Sequence, residues 1–133
     1  MTRVRDAMVS DPLALEAAAS AQDAGARLSD PGVRAVLVCD DGTLLGVVTR
    51  KTLVREIVAA GRDPATTHLR DIAEPPIFTL EADQDLEEAF HELEVRDLER
   101  VPVTENGRLV GILSRAVVQR RLAEDEGPVE ENV

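Results

Sequence analysis

Two short strings in this chain combine groups that can do chemistry: Gly46-Val47-Val48-Thr49-Arg50 and Gly111-Ile112-Leu113-Ser114-Arg115. In each, a hydroxyl and then a guanidinium follow an apolar run directly. A hydroxyl there can cap a following helix and donate to a phosphate, and a helix N-terminus favours an anion. Arginine is disfavoured at that end of a helix unless an anion or a carboxylate answers it. Thr49, Arg50, Ser114 and Arg115 are therefore candidate contacts to a small anionic ligand. The plainer reading is two N-caps and two surface ion pairs. The other reactive side chains assemble no catalytic site. His68 and His91 have no metal-ligand spacing, and Cys39 stands alone at the end of an apolar run. No nucleophile–base pair, phosphate-binding glycine loop or carboxylate constellation is present, so the expectation is a binding protein without catalysis.

Bulk properties narrow the ligand. The net charge is −11, and phosphate-backbone binding needs a basic face. Nucleic acids and anionic membrane surfaces are thus disfavoured, while a local arginine-lined pocket for one small anion is not. With two Phe, no Tyr and no Trp, stacking platforms for bases are nearly absent, and the core must be Val, Leu, Ile and Ala. A single cysteine excludes an intrachain disulfide and fits a reducing cytosol. No apolar stretch approaches the ~18 residues of a membrane span. Met1-Thr2-Arg3-Val4-Arg5-Asp6 lacks the apolar core of a signal peptide. The expected location is cytoplasmic.

The elements that must carry these residues occur twice. Sliding the chain against itself by about 65 positions aligns Val4-Arg5-Asp6 with Leu69-Arg70-Asp71, Leu15-Glu16-Ala17 with Leu80-Glu81-Ala82, and Gly42, Leu44 and Gly46 with Gly107, Leu109 and Gly111, without a gap. Each copy reads as a short extended piece, a helix, two strands and a second helix. The extended pieces are Leu13 to Leu15 and Ile77 to Leu80. In copy two, Leu86, Ala89, Phe90 and Leu93 form one apolar stripe, with Asp83 as the expected N-cap and Asp85, Glu87 and Glu88 in the first turn. Copy one offers the smaller stripe Ala21, Ala24 and Leu28. Asp41-Gly42 and Asn106-Gly107 between apolar runs predict tight hairpins with positive φ at glycine. The closing helices should bury Leu53, Val54, Ile57 and Val58 in copy one, and Val117, Val118 and Leu122 in copy two. Gly61 and Pro64 end the first copy. The expected boundaries are repeat 1 over 1–61, a linker over 62–68, repeat 2 over 69–123 and an acidic, disordered tail over 124–133.

The doubled βαββα order resembles the CBS (cystathionine-β-synthase-type) domain family. So do Gly46-Val47-Val48-Thr49-Arg50 after a glycine turn, the opening Val4-Arg5-Asp6-Ala7-Met8, and the run from Arg100 through Val101-Pro102-Val103 to Ser114. The resemblance covers all but the tail. It implies an α/β (α+β) fold, a tandem CBS pair whose copies are related by a pseudo-twofold axis, with clefts between them. It also implies a regulatory ligand-sensing module and not an enzyme. It would bind an adenine nucleotide or related adenosyl metabolite (AMP, ADP, ATP or S-adenosylmethionine), form a homodimer and act on a separate target protein. No bound cofactor or metal is implied.

Mapped onto this chain, the resemblance marks Thr49, Arg50, Phe78, Thr79, Arg100, Val101, Pro102, Ser114 and Arg115 as ligand-binding. Phe78 and Thr79 would line the base pocket, although Phe78 also reads as a core residue. Pro102 suggests an edge strand or cleft wall. The family places an Asp three residues after the Thr or Ser, where it accepts from both ribose hydroxyls. This chain has Thr52 and Val117 there. The copy with Arg100, Pro102, Ser114 and Arg115 is expected to supply the better half-site, resting more on phosphate than on ribose. The competing expectation is an interaction and dimerisation module that has lost its ligand.

Overall fold

The computed structural model describes residues 2–76 and 78–125. In chain order its elements are α1 (Val4–Ala7), β1 (Val9–Ser10), β2 (Ala14–Glu16), α2 (Ala21–Leu28), β3 (Ala35–Asp40), β4 (Thr43–Thr49) and α3 (Arg50–Leu53), which widens into a π turn over Val54–Val58. A 3-10 turn (Leu69–Asp71), β5 (Leu80–Glu81), α4 (Leu86–Arg96), β6 (Arg100–Glu105), β7 (Arg108–Ser114) and α5 (Arg115–Asp125) follow. The strand–helix–hairpin–helix order thus occurs twice. The apolar stripes bury as expected: Ala21, Ala24 and Leu28 in α2, and Leu86, Ala89 and Leu93 in α4. Asp41, Gly42, Asn106 and Gly107 all have positive φ, the signature of tight primed hairpin turns.

Several local expectations are corrected. The N-cap of α4 is Asp85, which accepts from the Glu88 amide at 3.2 Å. Asp83 lies two residues earlier and pairs with Arg5 instead. In the closing helix of copy one only Ile57 is buried and Leu53 half-buried; Val54 and Val58 are 57% and 74% exposed. The π turn is the reason. Its wider i→i+5 pitch breaks the 3.6-residue spacing that would put 54 and 58 on the inner face. Helix α5 reaches Asp125, two residues into the stretch read as a tail. The rest of that stretch, like Ile77, lies outside the described residues.

The chain divides into two compact units that are not the two sequence copies. Unit 1 takes its described residues from Met1–Pro12, Phe78–Asn106 and Val110–Val133; unit 2 takes them from Leu13–Ile77 and Gly107–Leu109. The opening segment of each copy belongs with the body of the other, and the exchange repeats bond for bond at the same offset. In unit 1 the amides of Val4, Arg5 and Leu86 donate to the carbonyls of Gln84, Ala82 and Thr2 at 2.9, 3.0 and 2.9 Å. In unit 2 the amides of Leu69, Arg70 and Ala21 donate to Ala19, Ala17 and Thr67 at 2.9, 3.0 and 2.9 Å. Val4 and Leu69, at equivalent positions, are both fully buried, each in the core of its own unit.

In unit 1 the strands run β1-β7-β6-β5, with β1 antiparallel to β7 and β5 parallel to β6. Pro102 is therefore not on an outer strand. The β5 ladder reaches only Val103 and Thr104, so the missing amide of Pro102 falls beyond it. In unit 2, β2 is parallel to β3 and β3 antiparallel to β4, and Thr43 pairs with Arg108. Gly46 and Gly111 share a task. A Cβ on Gly46 would strike the carbonyl oxygen of Glu74, and one on Gly111 would lie 2.6 Å from Met8 Sδ and 2.8 Å from the Val9 carbonyl. Each glycine lets an opening segment cross its strand at backbone distance.

Candidate functional site

In unit 2, Thr49 caps α3. Its Oγ1 accepts from the Thr52 amide at 3.2 Å, and Thr52 Oγ1 accepts from the Thr49 amide at 3.1 Å. Thr52 is fully buried, and its hydroxyl donates to Glu74 Oε2 at 2.9 Å. The Arg55 guanidinium closes on Glu74 Oε1. Glu74 is delivered by a backbone bridge to Val47, with amide-to-carbonyl bonds of 2.8 and 3.0 Å in the two directions. Hydrogen bonding from Thr52, then the bond and charge of Arg55, hold its carboxyl below the usual range. Glu74 was not singled out from the sequence. A signal existed: at the copy offset, Thr52 faces Val117 and Glu74 faces Val9, two polar-for-apolar exchanges at positions that touch in unit 2.

Arg50 does not point to an empty anion site. Its Nη2 donates to the carbonyls of Asp30 and Val33 at 2.9 and 2.8 Å, stapling the loop between α2 and β3 to the start of α3. Arg115 does the same in unit 1. Its amide donates to the Glu99 carbonyl at 2.8 Å, and its guanidinium pairs with Asp97 at 3.3 Å and with Glu99. Both arginines at helix starts are thus answered by oxygens of their own chain. Arg100 is exposed, with no side-chain partner among the described residues.

The remaining candidates lie in unit 1 on neighbouring strands. Phe78 and Thr79 lead into β5, Val101 and Pro102 belong to β6, and Ser114 ends β7. Val101 is a core residue and Pro102 is buried, so a ligand would meet the backbone at Val101. Phe78 is half-buried against the same core, with the Arg96 guanidinium 4.2 Å above its ring. Cys39 is buried, and that burial, followed by the charge of Glu16, raises its thiol pKa. Among the described residues no group of His, Cys, Asp and Glu is placed to hold a metal ion. None of the described helices is long and apolar enough to cross a membrane.

Comparison with known proteins fits this architecture. The family model of the CBS domain matches twice, over residues 4–59 and 69–124, and the chain belongs to that family as a tandem α/β pair. Hypoxic response protein 1 of Mycobacterium tuberculosis (strain ATCC 25618 / H37Rv) is 30% identical over 125 residues, 93% of this chain and 87% of that protein. A crystal structure of Hypoxic Response Protein I with two coordinated zinc ions is 29% identical, covers 91% of this chain and 99% of that one, and has a TM-score of 0.76. CBSX2 in complex with AMP, at 24% identity, shares the fold with a TM-score of 0.73 over 95% of this chain and 99% of that one. A-adding tRNA nucleotidyltransferase of Aquifex aeolicus (strain VF5) is 30% identical over 125 residues, which are 92% of this chain but 15% of that enzyme.

Proposed function

We propose that this chain is a non-catalytic regulatory module that senses an adenine nucleotide or a related adenosyl metabolite, as a homodimer acting on a separate target protein. The observation that carries the reading is the polar corner of Thr49, Thr52, Arg55 and Glu74, which follows Gly46-Val47-Val48 directly. Its buried hydroxyl aligns a carboxylate whose side chain is 43% exposed. Such a preset acceptor suits recognition, and no general base or nucleophile stands beside it for chemistry. In unit 1, Arg100 offers an unpartnered cation for a phosphate, with Thr79 and Ser114 as further polar contacts. The AMP in the CBSX2 structure illustrates the ligand class for this fold.

Thermal-shift measurements with AMP, ADP, ATP and S-adenosylmethionine test the reading. A ligand at 100 times its Kd adds about 2.7 kcal/mol, or roughly 10 °C for a chain of this size. A second reading, a ligand-free interaction module, is favoured by Val117 and by the self-paired Arg50 and Arg115. It predicts no shift with any of the four compounds. Both readings require the homodimer, for which the exposed Val54 and Val58 offer apolar surface. Light scattering at micromolar concentration should return twice the chain mass; a monomer mass would remove that part of the proposal.

A further inference from the structure

The hydrogen-bond polarity of the unit 2 corner can be followed atom by atom. The one proton of the Thr52 hydroxyl goes to the ionised Glu74 carboxylate, which has none to return. Thr52 Oγ1 therefore meets Thr49 only as an acceptor, from its amide and from its hydroxyl, each at 3.1 Å. The Thr49 proton is spent in turn, and its oxygen already accepts the Thr52 amide. Of the roughly four lone-pair sites on a carboxylate, one on Glu74 takes Thr52 and another takes Arg55. The valence left over on Glu74 is acceptor capacity alone, so a partner there must donate.

Charge narrows the partner further. Arg55 already neutralises Glu74, and Lys51 adds positive field at the same carboxylate. An ammonium group is therefore disfavoured, and an anion would meet the carboxylate itself. Neutral donors remain. Two lone-pair sites on one carboxylate suit two hydroxyls on neighbouring carbons, each giving a charge-assisted bond. The equivalent positions in unit 1 lack the device: Val117 stands for Thr52 and Val9 for Glu74, while Arg120 matches Arg55.

We propose that Glu74 is the specificity-determining acceptor for a neutral vicinal diol, the ribosyl hydroxyls of the ligand, and that its counterpart at the copy offset, Val9, offers none. One ribosyl ligand then binds per chain. This rests on the ligand-sensing reading above.

Isothermal titration of ATP and 2′,3′-dideoxy-ATP into the full chain decides it, using wild type, Glu74→Gln and Glu74→Val. The wild type should prefer ATP by about ten- to a hundred-fold, with one site per chain. Both variants should bring ATP down to the affinity of the dideoxy compound and leave that compound's own affinity unchanged. Circular dichroism reports their folding independently, and Glu74→Gln decides alone where Glu74→Val does not fold. Equal wild-type affinity for the two nucleotides, discrimination that persists in Glu74→Gln, or two ATP per chain would overturn the assignment and leave ligand sensing standing. No heat and no thermal shift with ATP, AMP, ADP or S-adenosylmethionine would remove the ligand-sensing reading, and the diol site with it.

Discussion

Glu74 should make the stability of unit 2 depend on pH in a definite direction. Thr52 and Arg55 favour its charged form, so its folded carboxyl lies below the usual 4.5. Such a group stabilises fully above its unfolded pKa and loses that contribution as pH falls through the lower folded value. The melting temperature of Glu74→Gln should therefore lie below wild type at pH 7, and the gap should close from about pH 4.5 downward. A gap that stays constant into acid would show that the ion pair contributes nothing to folding. Gly46 makes a second prediction at this scale. Gly46→Ala sets a methyl against the Glu74 carbonyl and should cost about 1–3 kcal/mol by urea unfolding, as overpacking does. The sequence alone singled out Thr49, Arg50, Ser114 and Arg115 but not their partners. Asp97 and Glu99 precede Arg115 by 18 and 16 positions, and Glu74 follows Thr52 by 22. No local spacing rule reaches that far.

At the level of elements, the hairpins and the inner helix stripes were legible because they depend on neighbours in sequence. The Asn106-Gly107 turn has φ values of 53° and 80°, and a side chain at 107 would meet nothing within 4 Å. Gly107→Val should therefore cost about 1–3 kcal/mol through backbone strain alone. Gly107→Asn, which tolerates positive φ, should cost less; equal losses in chemical denaturation would point to a contact and not to strain. The α4 cap is a parallel case. Asp85→Ala should lose about 0.5–2 kcal/mol, and Asp83→Ala, which removes only an exposed ion pair, should lose less. What periodicity missed was the π turn. Nothing in the residues 54–58 marks it, and it turns Val54 and Val58 to the outside.

Across the whole molecule, the duplication was readable because both glycines and the buried Val4 and Leu69 positions keep one offset. The exchange of opening segments was not. A repeat found by sliding a sequence against itself shows which residues are equivalent, not which body each joins. Residues 4 and 84 are bonded in one unit and 69 and 19 in the other, and both arrangements are consistent with the same alignment. The exchange also makes each copy incomplete alone. Residues 1–64 and 65–133 expressed separately should each lack stable structure, and mixing them should restore a cooperative melt. Two halves that melt cooperatively in isolation would contradict the division into these units.

Synthesis on a ribosome does not treat the two units alike. Unit 2 draws almost all its residues from one uninterrupted stretch, 13–77, whereas unit 1 joins the two ends of the chain. Val4 is therefore made well before the residues around Leu86, Leu93 and Val118 that will cover it. At roughly 5–20 residues per second, that interval lasts on the order of several seconds. Throughout it Val4 and its neighbours are open to chaperones and proteases. Nascent chains stalled with about 80 residues exposed should protect 13–77 from protease while 1–12 is still cut.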